Sequence, residues 1–280
     1  MNLDPHTLQL IRMALAEDIG PGDVTARFFT PAGATTRASI VAKEAGSVAG
    51  SEVATEVFRQ VDPGLAIDVR VADGARVEAG TTLLTASGPT RSLLTAERTA
   101  LNFFARLCGV ATLTCRYVDA VAGTGARILD TRKTTPGWRV LEKAAVRAGG
   151  GHNHRMGLYD RVMVKDNHLL AEAEAGALQA AINAVKAAHP DMLVELEADT
   201  LDQVRLFLDL QSVDIILLDN MTAAEMREAV SMAAGRVELE ASGGVTLESV
   251  RDIAETGIDS ISVGALTHSA RSLDLSLTIA

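Results

Sequence analysis

At 280 residues, with 48% hydrophobic side chains and a mean hydropathy of +0.17, the chain is long enough for one large domain or two ordinary ones. A formal net charge of −10 and a pI near 5.1 exclude an average surface that attracts nucleic acid or anionic membrane, so any anion must be met by locally placed cations. MNLDPHTLQL has neither the basic nor the apolar region of a secretory signal, and no run approaches the roughly 18 apolar residues a membrane helix needs; a cytoplasmic location is expected.

Residues 35–90 read as short β-prone segments punctuated by glycine, ASIVAKEAGSVAG and LAIDVRVADGARVEAGTTLLTASGP among them, which predicts small antiparallel sheets. VADGARVEAGTTLLTASG resembles the turn pattern of lipoyl and biotinyl carriers, but Lys43 does not sit at a hairpin tip, so a plain β scaffold is expected. SLLTAERTALNFFARL, residues 92–107, carries apolar residues at helical spacing and predicts a helix joining two halves. The two cysteines, Cys108 and Cys115, would be separated on one helix by about 10 Å of rise, too far for a disulfide, and are expected to be reduced.

From residue 126 onward RILDT, RVMVKD, LVELEA, DIILLDN, VELEASGG and DSISVGA alternate with helix-like stretches such as LLAEAEAGALQAAINAVKAA and TLESVRDIAETG. Six such alternations predict a parallel sheet with right-handed crossovers, closed or nearly closed into an α/β barrel. Neither a dinucleotide fingerprint nor a P-loop pattern occurs.

The charge is unevenly placed. Residues 131–168 hold eight lysines and arginines against three acids, a local +5 that leaves −15 for the rest; His152, His154 and His168 fall there too. Arg139, Lys143 and Arg147, at i, i+4 and i+8 after Pro136, predict a solvated helix face. Arg132, Lys133 and Lys165 stand at strand ends, and His154 and Arg155 in a glycine-rich loop. Barrel enzymes build their sites where the strands end. In chain order those ends bring Arg132 and Lys133, Lys165, Glu197, Asp219, then Ser242 with Gly243 and Gly244, and Gly264.

An arginine fork suits a carboxylate and a lysine suits phosphate or carboxylate, so several of each imply a substrate with more than one anionic group. The glycines of SGGVT and VGALTH allow backbone N–H groups to approach a phosphate. Glu197 and Asp219 can bind Mg²⁺, stabilise a developing cation or pair with the lysines. With no nucleophile elbow and no zinc spacing, an electrostatic cradle is the expected design.

EDIGPGDVT (17–25), ERTALNFFARLCGVAT (97–112), ILDTRKTTPGWRVLEKAAVRAGGGHNHRMGLYDRVMVKDNH (128–168), VELEADTL (194–201), ILLDN (216–220), EASGGV (240–245) and ISVGALTHS (261–269) together resemble the quinolinate phosphoribosyltransferase family. The resemblance implies an α/β chain with an N-terminal α/β sandwich domain at 1–110, an open (incomplete) α/β barrel at 111–269 and a tail, 270–280, packing back on the first domain. It implies that quinolinate and 5-phosphoribosyl diphosphate, with Mg²⁺, give nicotinate mononucleotide, diphosphate and CO₂ for NAD synthesis. Thr131, Arg132, Lys133, His154, Arg155 and Lys165 match its substrate-binding set, and Arg98 the arginine lent by a neighbouring subunit of a homodimer or hexamer. Lys133, Glu197 and Asp219 match its catalytic groups, the two acids also as Mg²⁺ ligands. Ser242, Gly243, Gly244, Val263, Gly264 and Ala265 match its phosphate loops. Trp138 and Cys108 depart from the family pattern, where a smaller apolar residue and a serine are expected. Three rivals stay open: a cousin associated with molybdate transport that uses another pyridine or small carboxylic acid, a Schiff-base lyase using Lys133 or Lys165, and a non-catalytic sensor of phosphorylated metabolites.

Overall fold

The computed structural model describes residues 3–165 and 175–279. The chain separates into two compact units, one made of Met1–Cys115, Thr134–Gly150 and Leu266–Ala280, the other of Arg116–Lys133 and Gly151–Ala265.

In chain order the first unit holds α1 (Pro5–Ile19), α2 (Val24–Phe29), β1 (Thr35–Ala42), β2 (Gly46–Ser47), α3 (Ser51–Val61), β3 (Ala66–Val69), β4 (Arg76–Val77), β5 (Thr82–Pro89) and the start of α4 (Thr90–Ala120). The antiparallel reading holds: β1 pairs with β5, β5 with β3, and β2 with β4. One helix, α3, interrupts these strands, concealed by the glycine pattern; α1 and α2 precede them. Helix α1 starts where Asp4 accepts hydrogen bonds from the His6 and Thr7 N–H groups and Pro5 pre-sets the first turn. Helix α3 buries Val53, Ala54, Val57 and Phe58 along one stripe.

The helix expected at 92–107 runs to residue 120. Gly109 does not break it, because the glycine serves an approach rather than a turn: a Cβ there would stand 2.0 Å from the Arg271 carbonyl oxygen. Both cysteines are free and lie on this helix. The Cys108 thiol is buried against Ala49, its sulfur 3.4 Å from that residue's N–H and 3.5 Å from its carbonyl. Burial pushes its pKa from 9.0 up to about 12; the Asp73 charge adds to this and the Ala49 N–H opposes it. A raised pKa of this kind contributes stability that is complete below the unfolded value near 9 and is lost as pH climbs toward 12. Cys108→Ser keeps a donor and acceptor for Ala49, and is expected to flatten the fall in melting temperature above pH 9. An unchanged alkaline slope in thermal scans would speak against that assignment.

After the first unit the labels continue with β6 (Arg127–Leu129), α5 (Arg139–Ala148), β7 (Val162–Val164), α6 (Ala175–Ala188), β8 (Val194–Ala198), α7 (Leu201–Leu208), β9 (Ile215–Asp219), α8 (Ala223–Ala233), β10 (Glu238–Ser242), α9 (Val250–Ala254), β11 (Ser260–Ser262), α10 (Ala265–His268) and β12 (Leu275–Ile279). Helix α5 belongs to the first unit, and so does β12, which runs antiparallel to β1 with Ile40 opposite Leu277. The solvated face expected of α5 requires correction. Arg147 is exposed, but Lys143 is only 1% exposed and buried beside Glu142. The helix buries Leu141, Glu142, Lys143, Ala145 and Val146, a face too wide to leave every fourth position in water. Trp138, just before α5, stacks on Phe103 with ring centroids 4.5 Å apart, so this departure from the family pattern is a packing residue.

The second unit is a six-stranded parallel sheet in the order β6-β11-β10-β9-β8-β7. All six strands expected from residue 126 onward are present. Their apolar runs, IILLD of β9 above all, suit strands covered on both faces. Thr200 and Thr222 open α7 and α8 with capping boxes closed by Gln203 and Glu225, ending the strand-to-helix loops crisply. The barrel is open: β6 and β7 are edges of the ladder, and beside β6 lies His152, whose N–H donates to Ile128 and whose carbonyl accepts from Asp130. No helix among the described residues is long and apolar enough to cross a membrane.

Candidate active site

Side chains two apart on a strand share a face, and the parallel register lines those faces up. Glu197, Leu217 and Glu240 stand in one row across β8, β9 and β10; Asp219 and Ser242 form the next pair toward the C-terminal ends. These five, with Thr131, Arg132, Lys133, His154, Arg155, Met163, Lys165 and Ser262, line a cleft of about 420 Å³. The strand ends therefore gather nine of the expected residues into one cavity: Thr131, Arg132, Lys133, His154, Arg155, Lys165, Glu197, Asp219 and Ser242.

The remaining expected residues are placed differently. Gly243 and Gly244 directly follow Ser242, and Val263, Gly264 and Ala265 follow Ser262, so both loops leave from the rim. Gly243 has φ +96°, and a Cβ there would meet the Asn220 side chain at 2.1 Å and its backbone nitrogen at 2.9 Å, so this position tolerates only glycine. Arg98 lies in the first unit, in a separate cleft with Leu101, Asn102, Ala105 and the 272–275 segment. His168 lies outside the described residues.

Local structure explains why the basic loop points inward. Asp130, fully buried at the end of β6, accepts from the His154 N–H at 2.8 Å and from the Asn153 amide at 2.5 Å. With the His152 bridge, this ties the GHNHR segment alongside β6. Arg155 is 8% exposed; its guanidinium touches the Arg161 carbonyl at 3.4 Å and the Met163 sulfur at 3.3 Å, and among the described residues no carboxylate pairs with it. Burial, and then the neighbouring Arg132 charge, lower its pKa. A buried guanidinium without a carboxylate partner is a ready anion site.

Glu197 forms an ion pair with Lys165, and Asp219 accepts from the Asn220 amide at 2.7 Å. The His154 ring is engaged at both nitrogens. Nδ1 lies 2.7 Å from the Arg155 N–H, and Nε2 lies 3.2 Å from Glu195 and 3.5 Å from Glu240. Burial lowers the pKa of His154, but the two carboxylates outweigh it and raise the value to about 9, whereas the Arg155 N–H needs an unprotonated Nδ1. The hydrogen bond decides between them, because a proton on Nδ1 would face another donor across 2.7 Å in a buried site. Nε2 has two carboxylates to accept its proton, and Arg161 Nη1, 3.1 Å from it, can turn its own N–H to Glu195 at 3.2 Å, so the ring is assigned its proton on Nε2.

Sequence reasoning missed Asp130, Arg161, Glu195 and Glu240. One signal was available: VELEA occurs twice, at 194–198 and 237–241, and acids at alternate positions of strands covered on both faces must point into the barrel.

A half-open α/β barrel whose C-terminal rim carries a cationic wall, paired acids and glycine loops defines an enzyme class that handles small polyanions. Models of the quinolinate phosphoribosyl transferase N-terminal and C-terminal domains match residues 23–108 and 110–278. The chain belongs to this family. It is 46% identical over 275 residues to the carboxylating nicotinate-nucleotide pyrophosphorylase of Mycobacterium leprae, covering 96% of this chain and 95% of that one. It is 43% identical to the chloroplastic enzyme of that name from Arabidopsis thaliana, covering 96% and 82%. The solved nicotinate-nucleotide pyrophosphorylase of Francisella tularensis superposes with a TM-score of 0.92 at 38% identity, covering 100% of this chain and 98% of that one. The Pyrococcus furiosus protein of that name shares the fold at a TM-score of 0.72 and 13% identity, covering 99% and 76%.

Proposed function

We propose that the chain transfers the phosphoribosyl group of 5-phosphoribosyl diphosphate to quinolinate, releasing diphosphate and CO₂ and giving nicotinate mononucleotide. The observation that carries this reading is the buried Arg155, unpaired with any described carboxylate, in one cleft with Arg132, Lys133 and Lys165 and opposite Glu197 and Asp219. A dicarboxylate beside a polyphosphate needs cations between them, and this wall supplies them.

The pyridine nitrogen attacks ribose C1 as diphosphate leaves with the bonding pair. The sugar becomes oxocarbenium-like, and the fixed carboxylates of Glu197 and Asp219 stabilise that charge. The ring nitrogen, now positive, sits next to the 2-carboxylate; the C2–CO₂ bond breaks, its electrons stay at C2, and a proton replaces the lost group. Lys133 offers a point charge to the diphosphate. The loops of Ser242, Gly243, Gly244, Val263, Gly264 and Ala265 offer backbone N–H groups to the ribose phosphate, apart from the Val263 N–H, which is donated to the Leu129 carbonyl at 2.9 Å. Glu197 and Asp219 also fit Mg²⁺: each has one described side-chain partner and carboxylate oxygen to spare, and Mg²⁺ takes one or two carboxylates plus phosphate oxygens. Bound there, the ion would offset charge on the departing diphosphate.

The reading extends to a cytoplasmic homodimer or hexamer in which Arg98 reaches the neighbouring site, with a sandwich domain at 1–110 and 270–280 and a barrel domain at 111–269. A Schiff-base role for Lys165 is disfavoured, since Glu197 pairs with it where crowding by cations would be needed.

Incubation with quinolinate, 5-phosphoribosyl diphosphate and Mg²⁺ should yield nicotinate mononucleotide by chromatography; nicotinate as the only accepted acid would overturn the substrate assignment. Arg132→Ala should raise the quinolinate KM and lower kcat, together worth about 1.5–3 kcal/mol. Unchanged kinetics would remove Arg132 from the site.

A further inference from the structure

Glu195 and Glu240 are both 0% exposed, and neither oxygen of Glu240 accepts a hydrogen bond among the described residues. A buried carboxylate left in that state must have a role that offsets its desolvation. The nearest proton donor is His154 Nε2, shared with Glu195. His154, Glu195 and Glu240 could also suggest a metal site, since their ligand atoms lie within 4.8 Å of one another. Arg161 argues against it: its Nη1 stands 3.1 Å from Nε2 and 3.2 Å from Glu195, so a cation already occupies that corner.

The groups facing His154 are thus Glu195 from β8, Glu240 from β10, Arg161 just before β7, Asp130 at the end of β6 and Arg155 beside it. We infer that Glu240 and Glu195 are positioning residues that hold the His154 proton on Nε2, so that Nδ1 grips the Arg155 N–H and sets the approach of that guanidinium to a substrate carboxylate. Neither glutamate need touch the dicarboxylate; both act through the imidazole. The same geometry makes His154 a clamp on Arg155, since Nδ1 faces the Arg155 N–H while Nε2 faces Glu195 and Glu240. The inference rests on the proposed reaction only for the identity of the anion.

Two measurements test it. In wild-type protein labelled with ¹⁵N-histidine, at pH 8, the His154 ring should show a protonated Nε2 and a bare Nδ1; a proton on Nδ1 would overturn the inference. In Glu240→Gln the quinolinate KM should rise about tenfold while the KM for 5-phosphoribosyl diphosphate stays within twofold, and Glu240→Asp should bring the first value back to within threefold of wild type. Equal movement of both KM values, or of neither, would overturn it. If Glu240→Gln does not fold, Glu195→Gln serves for the kinetics and the wild-type spectrum stands alone. Should wild-type protein make no nicotinate mononucleotide, the reaction assignment fails while the ring spectrum still decides the clamp.

Discussion

Arg155→Ala is expected to raise the quinolinate KM about a hundredfold, close to 3 kcal/mol, the upper range for a charge-assisted hydrogen bond in a desolvated site. The size follows from burial: at 8% exposure, water can replace little of what the guanidinium gives. A second readout separates binding from folding. The ligand-free guanidinium is buried without a described carboxylate partner, so its removal relieves a desolvation cost. The ligand-free variant should therefore melt no lower than wild type, while the stabilisation that saturating quinolinate confers should vanish. A variant that melts lower yet keeps its KM would assign Arg155 to the scaffold instead.

Glu142→Ala should cost the fold more than any single change in the cleft. Its carboxylate, 0% exposed, accepts from Arg106 Nη2 at 2.8 Å and Nε at 3.2 Å, and from the Thr135 N–H and hydroxyl at 2.9 Å each. Arg106 also donates to the carbonyls of Thr267 and Ala270. Deleting the acid leaves a largely buried guanidinium without its carboxylate and removes the acceptor of the Thr135 N–H, a loss of about 3–5 kcal/mol. Calorimetry should show a melting temperature about 10 °C lower, at a few degrees per kcal/mol for a chain of this size. Because Thr135 stands two residues after Lys133 in DTRKTTPG, kcat should fall as well. A drop under 2 °C would mean that the cluster adds little.

The barrel strands were legible because a parallel sheet covered on both faces writes its strands as apolar runs, and the charges at their ends were legible too: Arg132, Lys165, Glu197 and Asp219 meet in one cleft. Helix α3 was not legible, since glycines close around it read as strand punctuation. Spacing could not tell the buried Lys143 from the exposed Arg147, because burial depends on what covers a helix rather than on its own period. Glu195 and Glu240 hid inside strands, where an acid announces itself only by the repeated VELEA. Which cleft holds Arg98 was likewise beyond reach, as it depends on the tail strand beside it.

The Lys165–Glu197 contact has a kinetic consequence. The resting cleft neutralises part of its own field, so an incoming dianion trades places with Glu197 instead of meeting a bare ammonium. Arrival should then depend less on ionic strength than the cation tally implies. A dianion that takes Lys165 would also release Glu197, so filling the pocket and freeing a carboxylate within it would be one event.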